Sequence, residues 1–578
     1  MERNGSAATS TLFLDRIGEV TVTMDPGGFS WKLIGPKKDL VWFMANIATV
    51  FHVGVAILRF PCENLYFAMD QFWASCLCMN LRLKSENRIE FANIYAVEFI
   101  GWGLLEDANG RAGSFLSGSK LEMYRFVVHG FQRGRTCGSP WTLCEYTFGH
   151  KDLRTCESWV QQLIAQTNIE AVRPKNLLVF VHPSCGKGHG VKTWEMVESM
   201  FSRANVQTKV TITQRARHAY DLIASLSDKE LSSFDGIVAV GGDGLFNEVL
   251  NGLLSSRHDA PYPPSSEELN NACKKDQNVQ CMNNGIMCSR PLCNGATNML
   301  STPSSGSDDH EPLLSAVGSI TSNGGSHDRG LPADADTVKV SFPNDWFRLG
   351  LIPAGSTDSI VVSTTGTRDP VTSALQIILG KRISLDIAQV VRWKTSPSSK
   401  EVPSVHYAAS FAGCLVESLT YSISFTYVQP NKAPLEYLVI ARYGFYGDVI
   451  KGSEGYRWMG PKRYDYAGTM AFLKHRSYEA EIKFLKTEED VVNKKGTQTS
   501  ERFHENLKKV VCRANCNICN DTNDSADLDI SNISSQDSRW LQYRGCFLSV
   551  GAAVISCRNE RAPEGLVAEA HLSDGKLV

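Results

Sequence analysis

Between Asn176 and Leu254, runs of strand length alternate with runs of helical periodicity, and no other feature of the sequence limits the fold as tightly. NLLVFVH is a short buried-strand run and VKTWEMVESMFSRA reads as a helix. VQTKVTIT alternates, RHAYDLIASL is helical, and DGIVAV is a second buried strand. Strands separated by helices pair in parallel, with helices on both faces of the sheet, and the ligands of such sheets sit at the carboxyl ends of the strands.

Two glycine-rich loops stand at such ends. In HPSCGKGHG, His182 to Gly190, the glycines at 186, 188 and 190 let main-chain N–H groups turn toward an anion, and Lys187 adds charge. It is not a Walker A loop, because Val191 stands where that pattern needs a glycine before Lys192 and Thr193. In VAVGGDGLFNEVLNGL, Asp243 sits among Gly241, Gly242 and Gly244. Bare backbone there lets phosphates or a substrate hydroxyl lie against the main chain. A carboxylate with an ordinary pKa of about 3.9 is ionised near neutrality, so Asp243 is suited to accept an alcohol's proton during phosphoryl transfer, or to help hold a metal. Glu248, further along the same helix, is placed to touch a nucleotide or a metal shell. The competing reading is a tight turn with an acid in the first turn of a helix. A third loop, PAGSTDSI, offers Gly355, Ser356 and Thr357 to a ribose or phosphate, with Asp358 as a helix cap.

The flanks have a different character. EVTVTM and FSWKLI flank the turn residues Asp25 to Gly28, and IYAVEFI and EMYRFVVHGF are further strand-like runs. DLRTCESWVQQLIAQ follows as an amphipathic helix with Leu153, Cys156, Trp159, Val160 and Ile164 on one face. Strands closed by one tryptophan-bearing helix resemble a pleckstrin-homology domain, with a generic small β-barrel as the alternative. Residues 255–344, rich in Ser, Asn, Gly, Pro and Asp, read as a long disordered loop. Its Cys273, Cys281, Cys288 and Cys293 lack CxxC spacing and read as solvated thiols. After the helix-like DPVTSALQIILG and the strand-like SLDIAQVVRW, strand patterns dominate. The expected architecture is therefore an α/β catalytic domain with a parallel sheet at 173–365, a pleckstrin-homology-like β domain at 1–172, and a C-terminal β-rich sandwich domain at 366–578.

Lys plus Arg (59) nearly balance Asp plus Glu (61), which argues against nucleic acid as a partner and makes any charged site local. The 17 cysteines, with no secretory signal at MERNGSAATST, read as mostly reduced thiols of an intracellular, cytoplasmic protein. Leu40 to Leu58 is apolar enough that, as a helix, it would span roughly 28 Å, near the thickness of a bilayer core. Buried strands or a misfitting insertion are the other readings of that stretch.

GGDG after a strand, preceded by HPSCGKG and followed by PAGSTDS, resembles the diacylglycerol-kinase catalytic superfamily of lipid kinases. YGFYGDVIKGSEGYRWMGPKRYDYAGT and VCRANCNIC are similar to the ceramide kinases, in their plant form. The resemblance implies that Asp243 is the catalytic base for the primary hydroxyl of ceramide, with Gly241, Gly242 and Gly244 shaping the substrate contact. It implies nucleotide contacts at His182, Pro183, Ser184, Thr213, Glu248, Gly355, Ser356, Thr357, Arg457, Arg463, Asp574 and Gly575. Its cofactors are ATP and Mg2+, with Ca2+ as an activator, and its lipid stays in an endomembrane or the plasma membrane, so peripheral association is expected. Ile450 stands where the similar sphingosine kinases carry an acid for the substrate amine. An apolar residue suits a neutral amide and leaves an ammonium unpaired. Cys512, Cys516 and Cys519, spaced CxxxCxxC, match a ceramide-kinase signature whose role, metal or redox, stays open, and no metal site is assigned.

Three departures from that family stand out. Residues near 39–88 and 414–442 interrupt its pattern like retained intervening sequence, and the chain stops at HLSDGKLV where the family continues through further strands. Weakened folding and lost activity are the expectation, and the alternatives to a ceramide-directed enzyme are a diacylglycerol or sphingoid-base kinase or a catalytically impaired lipid-binding variant.

Overall fold

The computed structural model describes residues 8–34, 88–106, 120–134, 136, 138–167, 173–258, 280–281, 347–394, 404–412, 421–427, 437–440, 445–460, 462–474, 477–486, 539–548, 551–560, 562–567 and 570–572. The Leu40–Leu58 stretch, Cys273, Cys288, Cys293, the Cys512–Cys519 motif, Asp574 and Gly575 lie outside the described residues. Among the described residues no helix is long and apolar enough to cross a membrane.

The first region is an antiparallel sheet of β1 (Ala8–Leu14), β2 (Gly18–Asp25), β3 (Gly28–Leu33), β4 (Arg88–Glu90), β5 (Ile94–Glu106), β6 (Lys120–Gln132) and β7 (Thr142–His150), in the order β4-β3-β2-β1-β7-β6-β5. The β2–β3 hairpin turns where expected. Asp25 Oδ1 accepts the N–H groups of Gly27 (2.8 Å) and Gly28 (3.1 Å), and Arg88 pairs with the same carboxylate. Helix α1 (Leu153–Thr167) closes the sheet with Cys156, Trp159 and Leu163 buried, and Phe29 meets Trp159 with ring centroids 5.7 Å apart. One expected face residue differs: Ile164 is exposed. Leu163, four positions from Trp159 and seven from Cys156, is the residue that completes the inward stripe.

The parallel sheet is built from β8 (Asn176–Val181), β9 (Gln207–Ile212), β10 (Gly236–Gly241) and β12 (Arg348–Pro353), in the order β12-β10-β8-β9. The two-residue β11 (Gln280–Cys281) belongs to a different sheet. Because side chains alternate across a strand, Leu177, Val179, Val181, Val238, Val240 and Ile352 meet one set of helices, α3 (Gly190–Arg203) and α8 (Pro370–Ile378). Leu178, Phe180, Ile237, Ala239 and Leu351 meet the other set, α4 (His218–Ser225) and α6 (Asp243–Leu254). Short helices α2 (Cys185–Gly188), α5 (Asp228–Leu231) and α7 (Ser359–Thr365) lie in the connections. Local chemistry starts several of these helices. Ser227 and Glu230 form a reciprocal capping box on α5, and Asp369 accepts the Thr372 N–H at 2.7 Å ahead of Pro370 on α8.

The first face also packs Tyr95 and Phe131 of the antiparallel sheet, while the second packs Tyr407, Val554, Ile555 and Cys557. Those last residues accompany a seven-stranded sheet ordered β11-β19-β18-β17-β16-β13-β14. Its strands include β13 (Ala388–Lys394), β14 (Ser404–Ala408), β16 (Tyr421–Tyr427), β17 (Tyr437–Ile440), β18 (Tyr478–Lys486) and β19 (Arg539–Phe547), and β15 (Phe411–Ala412) pairs separately with β20 (Ala552–Ala553). Strands β16 and β17 fall inside 414–442, the segment read as an interruption, and lie between β13 and β18. Helices α9 (Phe445–Glu454) and α10 (Lys462–Leu473) follow them.

Candidate active site

The three glycine loops leave the carboxyl ends of β8, β10 and β12 and close on one another. The His182 N–H donates to Val240 O at 3.0 Å, and the Ala354 N–H donates to Gly241 O at 3.0 Å. Gly186 adopts φ +52°, and a Cβ there would stand 2.3 Å from Ala354 O. A Cβ on Gly355 would stand 2.6 Å from Gly242 Cα. Only bare backbone lets these loops approach so closely.

Asp243 opens α6 directly above this junction. Its Oδ2 accepts the N–H of Ser359 at 2.9 Å and its Oδ1 that of Ile360 at 3.0 Å, the first two amides of α7. The sequence reading gave the cap of that helix to Asp358, and the structure corrects it. Asp358 adopts φ +53°, which turns its carboxylate away from the helix it precedes. Its Oδ1 accepts the Gly355 N–H at 2.9 Å and its Oδ2 accepts Arg368 Nε at 2.8 Å. Arg368 also donates to Gly355 O and reaches Glu560 Oε1 at 3.1 Å.

These contacts set the electrostatics. Burial lifts the Asp243 carboxyl above the usual carboxylate range, against the pull of the Ile360 and Ser359 amides and of Arg368. Burial pushes Asp358 up to about 6, opposed by Arg368 and reinforced by the charge of Asp243. Cys557 belongs to the same neighbourhood: burial and then Asp243 push its thiol up to about 12, so it stays a neutral thiol.

The other expected site residues distribute as follows. Pro183 and exposed Ser184 lie between β8 and α2, Gly241 is buried and Gly244 exposed, and Ser356 and Thr357 are half-buried between β12 and α7. Thr213 is buried, and both its N–H (2.9 Å) and its hydroxyl (3.4 Å) donate to Val181 O. Glu248 is buried too, with Oε1 accepting the Ala219 (2.8 Å) and Tyr220 (3.3 Å) amides that open α4. Burial raises its pKa, against those same hydrogen bonds. Arg463 lies on α10 with its guanidinium over the Tyr464 ring at 4.7 Å. Arg457 sits in the helical turn Arg457–Met459, and its side chain, like those of Lys187 and Ile450, lies outside the described residues.

Sequence reasoning missed Arg368, Glu560 and Cys557, and it missed two asparagines. Asn251 on α6 donates to Tyr407 O (2.8 Å) and accepts the Tyr407 N–H (2.8 Å), while Asn247 Oδ1 accepts the Ala409 N–H (3.4 Å). Set one helical turn apart, they dock α6, the helix that begins at Asp243, against β14 and the residue that follows it. Among the described residues no group of three or more His, Cys, Asp or Glu side chains is arranged to hold a metal. With Asp358 bound by Arg368 and Gly355, Asp243 is the acid left to meet a cation. That donor set suits Mg2+, which is commonly held by one or two carboxylates together with substrate phosphates and water.

A family model described as the diacylglycerol kinase catalytic domain matches residues 176–264. That stretch carries the first two glycine loops and Asp243, so the fold and site define a lipid kinase of the diacylglycerol-kinase catalytic class. A ceramide kinase of Oryza sativa subsp. japonica is 47% identical over 595 residues, covering 100% of this chain and 86% of the relative. Ceramide kinases of Arabidopsis thaliana and Homo sapiens are 42% and 28% identical, covering 100% and 81% of this chain and 84% and 66% of the relatives. The chain belongs to the ceramide kinase family.

Proposed function

We propose that the enzyme transfers the γ-phosphate of ATP to the primary hydroxyl of ceramide, giving ceramide 1-phosphate. The observation that carries the mechanism is Asp243, held by two backbone amides at the meeting point of three glycine loops. A carboxylate uses only part of its acceptor capacity on two N–H groups, so Asp243 retains lone pairs for the lipid hydroxyl. It accepts that proton as the hydroxyl oxygen bonds to the γ-phosphorus and the bond from phosphorus to the β,γ-bridging oxygen breaks, releasing ADP. The main chain at 182–188 and 355–357 faces the phosphates and ribose, and Arg457 and Arg463 take up the spreading phosphoryl charge. Asp243 would also be the protein side chain nearest a phosphate-bound Mg2+, which would supply neutralisation of phosphate charge.

The first region we read as a pleckstrin-homology-like domain, supported by its seven antiparallel strands and closing helix, and the C-terminal region as a β-rich sandwich domain. We also infer peripheral association with a membrane. The support is exposed aromatic and apolar surface, such as Trp102 on β5 (52% exposed) and Trp458 (80% exposed), in an enzyme whose acceptor lies in a bilayer. Phosphate transfer in mixed micelles containing ceramide, diacylglycerol and a sphingoid base in equal amounts tests the substrate. Ceramide is expected to take most of the label, and preference for either competitor rejects the assignment.

A further inference from the structure

The parallel sheet ends at β12, which pairs with β10 on one side. Beside it runs a cavity of about 650 Å³, within the range of about 300–1,000 Å³ usual for small-molecule sites. Its walls are apolar: Phe246 and Leu250 of α6, Ile360 of α7 and Ile377 of α8. Its charged lining is mostly cationic, with Arg173, Arg348, Lys381 and Arg382 against the single acid Asp235, and neutral polar groups such as Ser373 and Gln376 complete it. Asp235 spends one of its oxygens, Oδ2, on the backbone N–H groups of Lys175 (2.6 Å) and Asn176 (2.9 Å). The buried Nε of Arg173 has no hydrogen-bond acceptor among the described residues. Arg348 and Arg382 both line the cavity, and burial and then the charge of Arg382 lower the pKa of Arg348 while Asp235 raises it.

We propose that this cavity is a lipid site separate from the acceptor site, taking a single-chain amphiphile with a carboxylate or phosphate head at Arg348 and Arg382 and its tail along Phe246, Leu250 and Ile377. The Arg348 end of the cavity lies away from the reaction centre, whereas its other end reaches Ile360, whose N–H Asp243 accepts. Arg348 pairs with Gly236 at the amino ends of β12 and β10, whereas Asp243 follows their carboxyl ends. Six residues of strand put about 17 Å between them. Ceramide is neutral and must bring its hydroxyl to Asp243, so it does not need these cations. An anionic head offsets the excess of cations in this lining, which a neutral head does not.

Calorimetric titration of the full chain with oleate, oleyl alcohol, lysophosphatidate and inorganic phosphate tests this. Saturable binding of oleate and lysophosphatidate is expected, with inorganic phosphate at least tenfold weaker. The double variant Arg348→Ala/Arg382→Ala should weaken oleate at least tenfold and leave oleyl alcohol unchanged, while Ile377→Trp should weaken both. Far-UV spectra and melting temperatures report whether the variants fold, and the charge variant at the open rim carries the test if the tryptophan variant does not. The proposal fails if oleate does not saturate, if the charge variant binds oleate as wild type does, or if inorganic phosphate binds as tightly as oleate. Displacement of oleate by a short-chain ceramide also overturns it, because the cavity would then be the acceptor site.

Discussion

Helix α6 carries two acids in similar backbone roles with opposite surroundings. Asp243 holds the first two amides of α7, and Glu248 holds two amides in the first turn of α4. Each carboxylate neutralises the positive end of a neighbouring helix, and each is raised in pKa by burial. Position decides what else they do. Asp243 keeps partial exposure where three loops meet, whereas Glu248 is 7% exposed and faces the junction of α6 with α4. Hydrogen bonding to a helix terminus orients a carboxylate without making it catalytic; access to a substrate does that.

The largest effect expected from this contrast is on turnover. Asp243→Asn keeps an oxygen that can cap one α7 amide but removes the base, so kcat should fall by about 10²–10⁴-fold, with melting temperature little changed. Single-turnover phosphate transfer to ceramide measures it. Activity persisting at wild-type level would make Asp243 a cap like Glu248 and nothing more.

Glu248 should behave the other way round. Glu248→Ala leaves the buried Ala219 and Tyr220 amides without an acceptor, a loss of about 1–3 kcal/mol, read as a lower urea midpoint. Glu248→Gln, which keeps one carbonyl oxygen, should recover most of that. If Glu248→Gln instead leaves stability intact and raises the KM for ATP severalfold, the nucleotide role expected from family resemblance is restored to it.

The same contrast shows how much the chain declares in advance. The parallel sheet was legible because β8 and β10 are short apolar runs bracketed by helical periodicity, and the meeting of the loops because glycines at 241, 242 and 244 follow a strand end. What Glu248 and Asp358 do was not legible. Glu248 reaches a helix 28 and 29 positions earlier in the chain, and Asp358 turns on a single left-handed φ. Neither a long-range partner nor one backbone angle leaves a periodic trace. Arg368, in TGTRDP, looks like any surface arginine until the fold sets it against Asp358. Strands β16 and β17 were passed over for a related reason. Comparison with a family pattern marks a segment as foreign, while pairing depends only on strand-forming residues beside an available edge.

Arg368 supplies the smallest and most diagnostic prediction. Its guanidinium lies 2.8 Å from Asp358 and lowers the pKa of both Asp358 and Asp243. In the wild type both carboxyls titrate above their unfolded values. Their ionisation therefore costs stability, which is greatest below the unfolded pKa of about 4 and declines as pH rises through about 6, where Asp358 ionises. Catalysis follows the opposite sign, because the base must be ionised: kcat/KM should fall as pH drops, along a limb above the ordinary carboxylate range that belongs to the coupled pair. Arg368→Ala removes the cation, so that limb should move to higher pH, with the pH-independent plateau reduced much less than in Asp243→Asn. Glu248→Gln should leave the limb in place, since Glu248 shares neither Arg368 nor the loops. A profile in which both variants shift the limb equally would mean that the two acids titrate as one network along α6, and the separation of a capping acid from a reacting one would fail.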